Sequence, residues 1–189
     1  MPGGQRADEA WGLAERLLAE PLPRRWLHSI GVANQATMLR PLLRAESELL
    51  ESAAVLHDIG YSPELVVTGF HAIDGARYLR DVVGADDRIV RLVAHHSCAV
   101  IEAEERNLIS AMAEFKPEIP LLTDAMIYCD MTTTPDGQFT SASERVTEVA
   151  KRYGPDGPVA RFIDRAAPIL CESTARIEEM LAATLAQPI

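Results

Sequence analysis

The 189-residue sequence is poor in cysteine, aromatic residues and lysine, and each scarcity removes a class of explanation. Its three cysteines, Cys98, Cys129 and Cys171, are odd in number and form no CxxC pair. That argues against a disulfide framework and for reduced thiols in a cytosol. Aromatics make up only 5% of the residues, so a core must be built mainly from Ala, Leu, Val and Ile. No apolar run of signal-peptide type opens the chain, and none reaches the roughly 20 residues of a membrane-spanning helix. A soluble cytoplasmic protein with no membrane partner is expected. Positive charge is scarce too: 18 Lys and Arg stand against 28 Asp and Glu, a net charge of −10. Such a field opposes long nucleic acids and anionic membranes, so an anionic ligand needs a local positive site. Lysine occurs only at Lys116 and Lys151. The remaining basic residues are arginines, whose rigid fork suits phosphate.

No segment alternates with period two for long enough to make a strand, whereas helical spacing runs nearly throughout. Helices are expected over residues 8–20 (Trp11, Ala14, Leu17 and Leu18 on one face), 24–39, 46–57, 71–84 and 86–97. Further helices are expected over 101–114 (a charged, solvated flank), 119–131, 141–152 and 158–184. Pro21, Pro23, Pro41, Gly60, Pro63 and Gly84 punctuate them. Residues 59–70 and 132–137 read as loops, and residues 1–5 and 186–189 as frayed ends. The length suits one all-α domain over 1–189, large enough to fold without a structural metal.

The histidines carry the chemistry. There are five, at His28, His57, His71, His95 and His96, and Asp58 and Asp130 accompany them. Imidazole and carboxylate are the ligands of first-row divalent metals. His57 and Asp58 close an apolar helix whose C-terminal dipole favours a cation. Asp58 has two oxygens and can bridge two ions. His28 and Asp130 sit in apolar stretches, where a carboxylate without a partner is very costly. His71, His95 and His96 supply a second position sharing Asp58. Two ions about 3.5–4 Å apart can clamp a phosphate and activate water.

Nearby residues have two readings each. Arg25 lies one turn before His28, so it either reaches a substrate phosphate or ends a helix in solvent. Arg77 and Arg80 are solvated or clamp phosphate. Asp74, one turn beyond His71, supports a ligand from behind, acts as a general acid or is exposed. Tyr61 covers the site or simply packs. Cys98 and Cys129 read as core residues. The 132–137 loop lines a substrate mouth or is a plain turn.

The strings RRWLHSIGVA, AAVLHDIGY, FHAIDGARYL, IVRLVAHHS and DAMIYCDMTTT, with their ordered His28, His57-Asp58 and Asp130, resemble the HD-domain superfamily of metal-dependent phosphohydrolases. The resemblance covers residues 24–135. It implies an all-α HD-domain helical bundle on which the C-terminal helices 141–184 pack. It also implies one metal held by His28, His57, Asp58 and Asp130, and a second held by Asp58, His71, His95 and His96. Many members carry HDxGK, whereas this chain has HDIGY, with Tyr61 in place of the lysine. The expected activity is hydrolysis of a phosphate ester of a nucleotide or other small phosphorylated metabolite by metal-activated water. Asp58 and Asp74 are the expected catalytic groups, and Arg25, Arg77 and Tyr61 the substrate contacts. The expected cofactors are two divalent ions, with iron, manganese, nickel, cobalt and zinc all open. A di-iron oxygenase and a non-catalytic nucleotide-binding module are the alternatives. A homo-oligomer stays open, since these are common among enzymes, although no coiled-coil heptad supports one.

Overall fold

In the computed structural model, residues 3–154 and 156–186 are described; the ends expected to fray at 1–2 and 187–189 lie outside them. Residues 3–5 open the first helix instead of fraying. The helices are α1 (Gly3–Leu18), α2 (Pro23–Met38), α3 (Arg40–Leu43), α4 (Ser47–Leu56), α5 (His71–Tyr78), α6 (Asp87–His95), α7 (Ala99–Glu105), α8 (Ile109–Met112), α9 (Pro120–Met131), α10 (Ala142–Tyr153) and α11 (Pro158–Leu185). Among the described residues the only β-type pairing is an isolated bridge between Thr133 and Phe139. The fold is all-α, as expected.

Local chemistry sets the helix limits. Pro23, Pro120 and Pro158 stand in the first turns of α2, α9 and α11, where a missing N–H costs nothing. Asp86 caps α6 by accepting from the Arg88 amide, and Ser141 with Glu144 forms a capping box on α10. Gly84 ends the turn after α5 in the left-handed region. The 101–114 stretch, expected as one helix, is two. α7 and α8 are separated where Asn107 takes a positive φ, and α7 is no mere flank, because Ala103 is fully buried. Pro41 does not simply end α2; it starts the short α3.

The central element is α4. Leu50, Ala53, Ala54, Val55 and Leu56 are all buried, and α1, α2, α6 and α9 pack around it. Truncating such a leucine to alanine costs about 2–5 kcal/mol. α10 and α11 pack on α9 and gather a second apolar cluster around Met131, Phe162, Ile163 and Leu170.

Two glycine contacts fix the geometry near the histidines. A Cβ at Gly60 would lie 2.0 Å from the His71 carbonyl oxygen and 2.6 Å from the Gly75 amide nitrogen. Only glycine therefore lets the turn after Asp58 touch the start of α5. Gly137, at φ +78°, would place a Cβ 2.3 Å from the Leu27 carbonyl oxygen, so the 132–137 loop lies directly on α2 beside His28.

Candidate metal centre

His57 and Asp58 follow the last residue of α4, His28 comes from the middle of α2, His71 opens α5, His96 follows α6 and Asp130 lies near the end of α9. The side chains of His28, Asp58, His71, His96 and Asp130 line one cavity of about 290 Å3, and the His57 ring packs edge-on against those of His28 and His96. All are buried apart from His71, which is partly so.

The hydrogen bonds orient the rings. His28 Nδ1 donates to the Thr134 carbonyl at 3.0 Å, His57 Nδ1 to Ala54 at 2.7 Å and His96 Nδ1 to Val93 at 2.6 Å. These partners assign the tautomers, because a carbonyl accepts only from N–H. Each ring therefore turns the Nε2 lone pair inward. His96 Nε2 accepts from His71 Nε2 at 3.0 Å.

The carboxylates face these lone pairs. Asp130 Oδ1 lies 3.1 Å from His28 Nε2. With Nδ1 already donating, that contact needs a proton or a metal cation between its two atoms. Asp58 Oδ2 lies 3.3 Å from His57 Nε2 and 3.9 Å from His28 Nε2, while Oδ1 lies 3.5 Å from His71 Nε2. The 3.3 Å approach is not a hydrogen bond in geometry, and the buried His57 Nε2 is left without a partner. Ligand atoms of His28, His57 and Asp130 lie within 4.8 Å of one another, as do those of His57, Asp58 and His96. An unpartnered buried nitrogen, inward lone pairs and two carboxylates make a donor set that fits divalent metal.

Electrostatics agree. Burial alone would raise the Asp58 carboxyl, yet Arg25 and His57 hold it well below the carboxylate range. Burial opposes and His28 and His57 outweigh it at Asp130, which is also lowered. Burial drives His71 well below the usual imidazole value, with His96 and Arg25 adding to it against Asp58. His96 is lowered by burial and by His57. His57 is raised, because Asp58 outweighs its burial.

The other expected site residues divide. Arg25 is partly buried and donates from Nη1 to Asp58 Oδ2 at 2.6 Å. Its guanidinium lies 3.8 Å from the centre of the Tyr61 ring, which stacks on His71 at 4.0 Å. Tyr61 thus covers the site between two cationic or aromatic planes. His95 is turned away: its Nε2 donates to the Phe115 carbonyl at 2.9 Å, outside the cavity. α6 ends at His95 and the backbone then turns through the left-handed Ser97 and Cys98, and of the doublet only His96 lines the cavity. Asp74 is buried but faces the 62–70 loop, accepting from the amides of Val67, Thr68 and Gly69 and from the Thr68 hydroxyl. It clamps that loop and is not among the residues that line the cavity. Arg77 and Arg80 pair with Glu114, also outside the cavity. The 132–137 loop supplies the carbonyl that aligns His28.

Several residues without a motif of their own also line the cavity. Ser97 donates to Asp130 Oδ2. Ser97 and Cys98 take φ of +48° and +60°, a strained left-handed pair at the α6–α7 corner. Arg106, Arg145, Arg152 and Tyr153 line the opening, and Phe70, Phe162 and Leu170 supply apolar wall. The signal for α10 was present: Arg145, Glu148 and Arg152 fall at i, i+3 and i+7, on one helix face.

The comparisons agree with this geometry. The model of the HD domain family matches residues 25–133. Ribonuclease Y of Rubrobacter xylanophilus is 33% identical over 87 residues, covering 46% of this chain and 17% of that protein. The chain therefore spans less than a fifth of that relative's length. No solved structure gives a significant match. With the matched region covering more than half of its length, this chain belongs to the HD domain family, within the superfamily of metal-dependent phosphohydrolases.

Proposed function

We propose that the protein hydrolyses a phosphate ester of a small phosphorylated metabolite, nucleotides included, at a site for two divalent ions. The observation that carries this reading is the division of Asp58. Its Oδ2 faces His28 and His57, and its Oδ1 faces His71. One ion would be held by His28, His57, Asp58 and Asp130, the other by Asp58, His71 and His96. Divalent ions there supply Lewis acidity and water activated near neutral pH. The chain's own groups do the rest. Arg25 stands beside Asp58 to bind a phosphoryl oxygen once Asp58 turns to its ions. Tyr61 keeps the Arg25 guanidinium and the His71 ring stacked in place. Phe70, Phe162 and Leu170 hold the organic part and exclude bulk water. Tyr61, in place of a lysine, offers a neutral hydroxyl, since burial beside Asp58 raises its pKa further.

Metal content of chelator-free protein, together with turnover of a panel of phosphate esters, tests this. About two ions per chain, falling towards one in His71→Ala and His96→Ala, with metal-dependent phosphate release, is expected. One ion insensitive to those substitutions would remove the second position. Loaded protein inert across monoesters, diesters and anhydrides would remove the hydrolase.

A further inference from the structure

A second compartment of about 340 Å3 adjoins the metal cavity, sharing Arg25, His28, Arg145 and Arg152 as the common wall. Its lining is unusual for a chain of net charge −10. Four arginines and four residues of Pro21-Leu22-Pro23 and Pro135 surround it together with His28, and no carboxylate does. Arg24 is engaged by Asp136 through two bonds of 2.7 and 3.0 Å. Arg145 and Arg152 share a single carboxylate, Glu148, which leaves one positive charge in surplus. Arg145 is more than nine-tenths buried, and its Nε has no hydrogen-bond partner. A buried guanidinium N–H without an acceptor is costly, and an anion arriving beside it satisfies it. Both arginines lie on α10, beyond the region 25–133 that the family model matches.

We propose that the substrate is a small molecule carrying two phosphates. One sits at the metal centre and the other in this outer compartment, held by Arg145 and Arg152. The inference rests on the hydrolase reading and specifies its substrate class. Pro21, Pro23 and Pro135 form part of its wall, and the guanidinium forks match the oxygens of a phosphate. The volumes of the two compartments suit a small ligand rather than a polymer.

Non-hydrolysable probes separate the two readings. Alkylphosphonates and alkane bisphosphonates, from ethane to hexane, would be titrated calorimetrically into metal-loaded protein, with Arg152→Gln, Arg145→Gln and the remote Arg80→Gln beside it. Arg152 lies at the surface, so its substitution leaves the fold intact. The best bisphosphonate should bind about tenfold tighter than its monophosphonate, or better. Arg152→Gln and Arg145→Gln should abolish that gain, and Arg80→Gln should keep it. No gain at any chain length overturns the inference, as does a gain that survives both α10 substitutions. Metal dependence of monophosphonate binding, and its loss in His57→Ala, report on the hydrolase reading alone. If monophosphonate ignored the metal, that reading would fall while the Arg152-dependent gain still judged the outer site.

Discussion

Ser97 donates its hydroxyl hydrogen to Asp130 Oδ2, leaving Oδ1 to face His28. The bond fixes one carboxylate rotamer from a backbone held in the left-handed region at two successive residues. Ser97→Ala should weaken metal binding about tenfold through loss of that orientation, without loss of helix content. Competition against a calibrated chelator measures it, and an unchanged affinity would show that Asp130 needs no such support.

The doublet His95-His96 should divide under mutation. His96→Ala is expected to lose one ion and the activity. His95→Ala should keep the metal but cost roughly 1–2 kcal/mol, because the Phe115 carbonyl loses its donor. Denaturant midpoints and metal content together distinguish the two. Metal loss in His95→Ala would contradict the placement of that ring.

Asp74 is expected to matter to the loop rather than to the chemistry. Asp74→Ala strips the acceptor from three amides and a hydroxyl, at a cost of about 3 kcal/mol. Hydrogen exchange over residues 66–70 should accelerate while metal stoichiometry holds. Slow exchange there in the variant would mean that the loop is held by something else.

Acid should unmask Asp130 in the metal-free protein. Its folded-state pKa is lowered from 3.8, so its stabilising contribution is present above that value. It is lost as pH falls from there towards the depressed folded value. The stability difference between the wild type and Asp130→Asn should therefore shrink as pH falls below about 4. A difference that shrank already between pH 7 and 5 would mean another group dominates.

The fold was legible where periodicity and punctuation coincide. α2, α9, α10 and α11 fall within a residue or two of expectation, because prolines stand in the first turns of three of them and a capping box opens the other. The 101–114 stretch misled because its charge suggested one solvated helix, while Asn107 breaks it with a positive φ. The order of histidines and aspartates pointed to six of the residues that converge here. His95 and Asp74 could not be placed from sequence, since which way an adjacent ring points depends on the backbone turn at Ser97 and Cys98. The loop amides that occupy Asp74 come from a stretch without regular structure. The arginines of α10 were missed for a simpler reason: their importance arises only when α10 folds against the metal cavity, more than ten residues beyond the last motif.

The three rings whose Nδ1 atoms donate to Thr134, Ala54 and Val93 are held by main-chain oxygen. Every residue has such an oxygen, so no change of side chain at those three positions deletes the tether. The tether survives substitution there as long as the chain keeps its path, and what limits change at the fully buried Ala54 and Val93 is packing. What this site demands of its neighbours is a trajectory of the chain rather than an alphabet, and the glycines at 60 and 137 are where that demand becomes visible as letters.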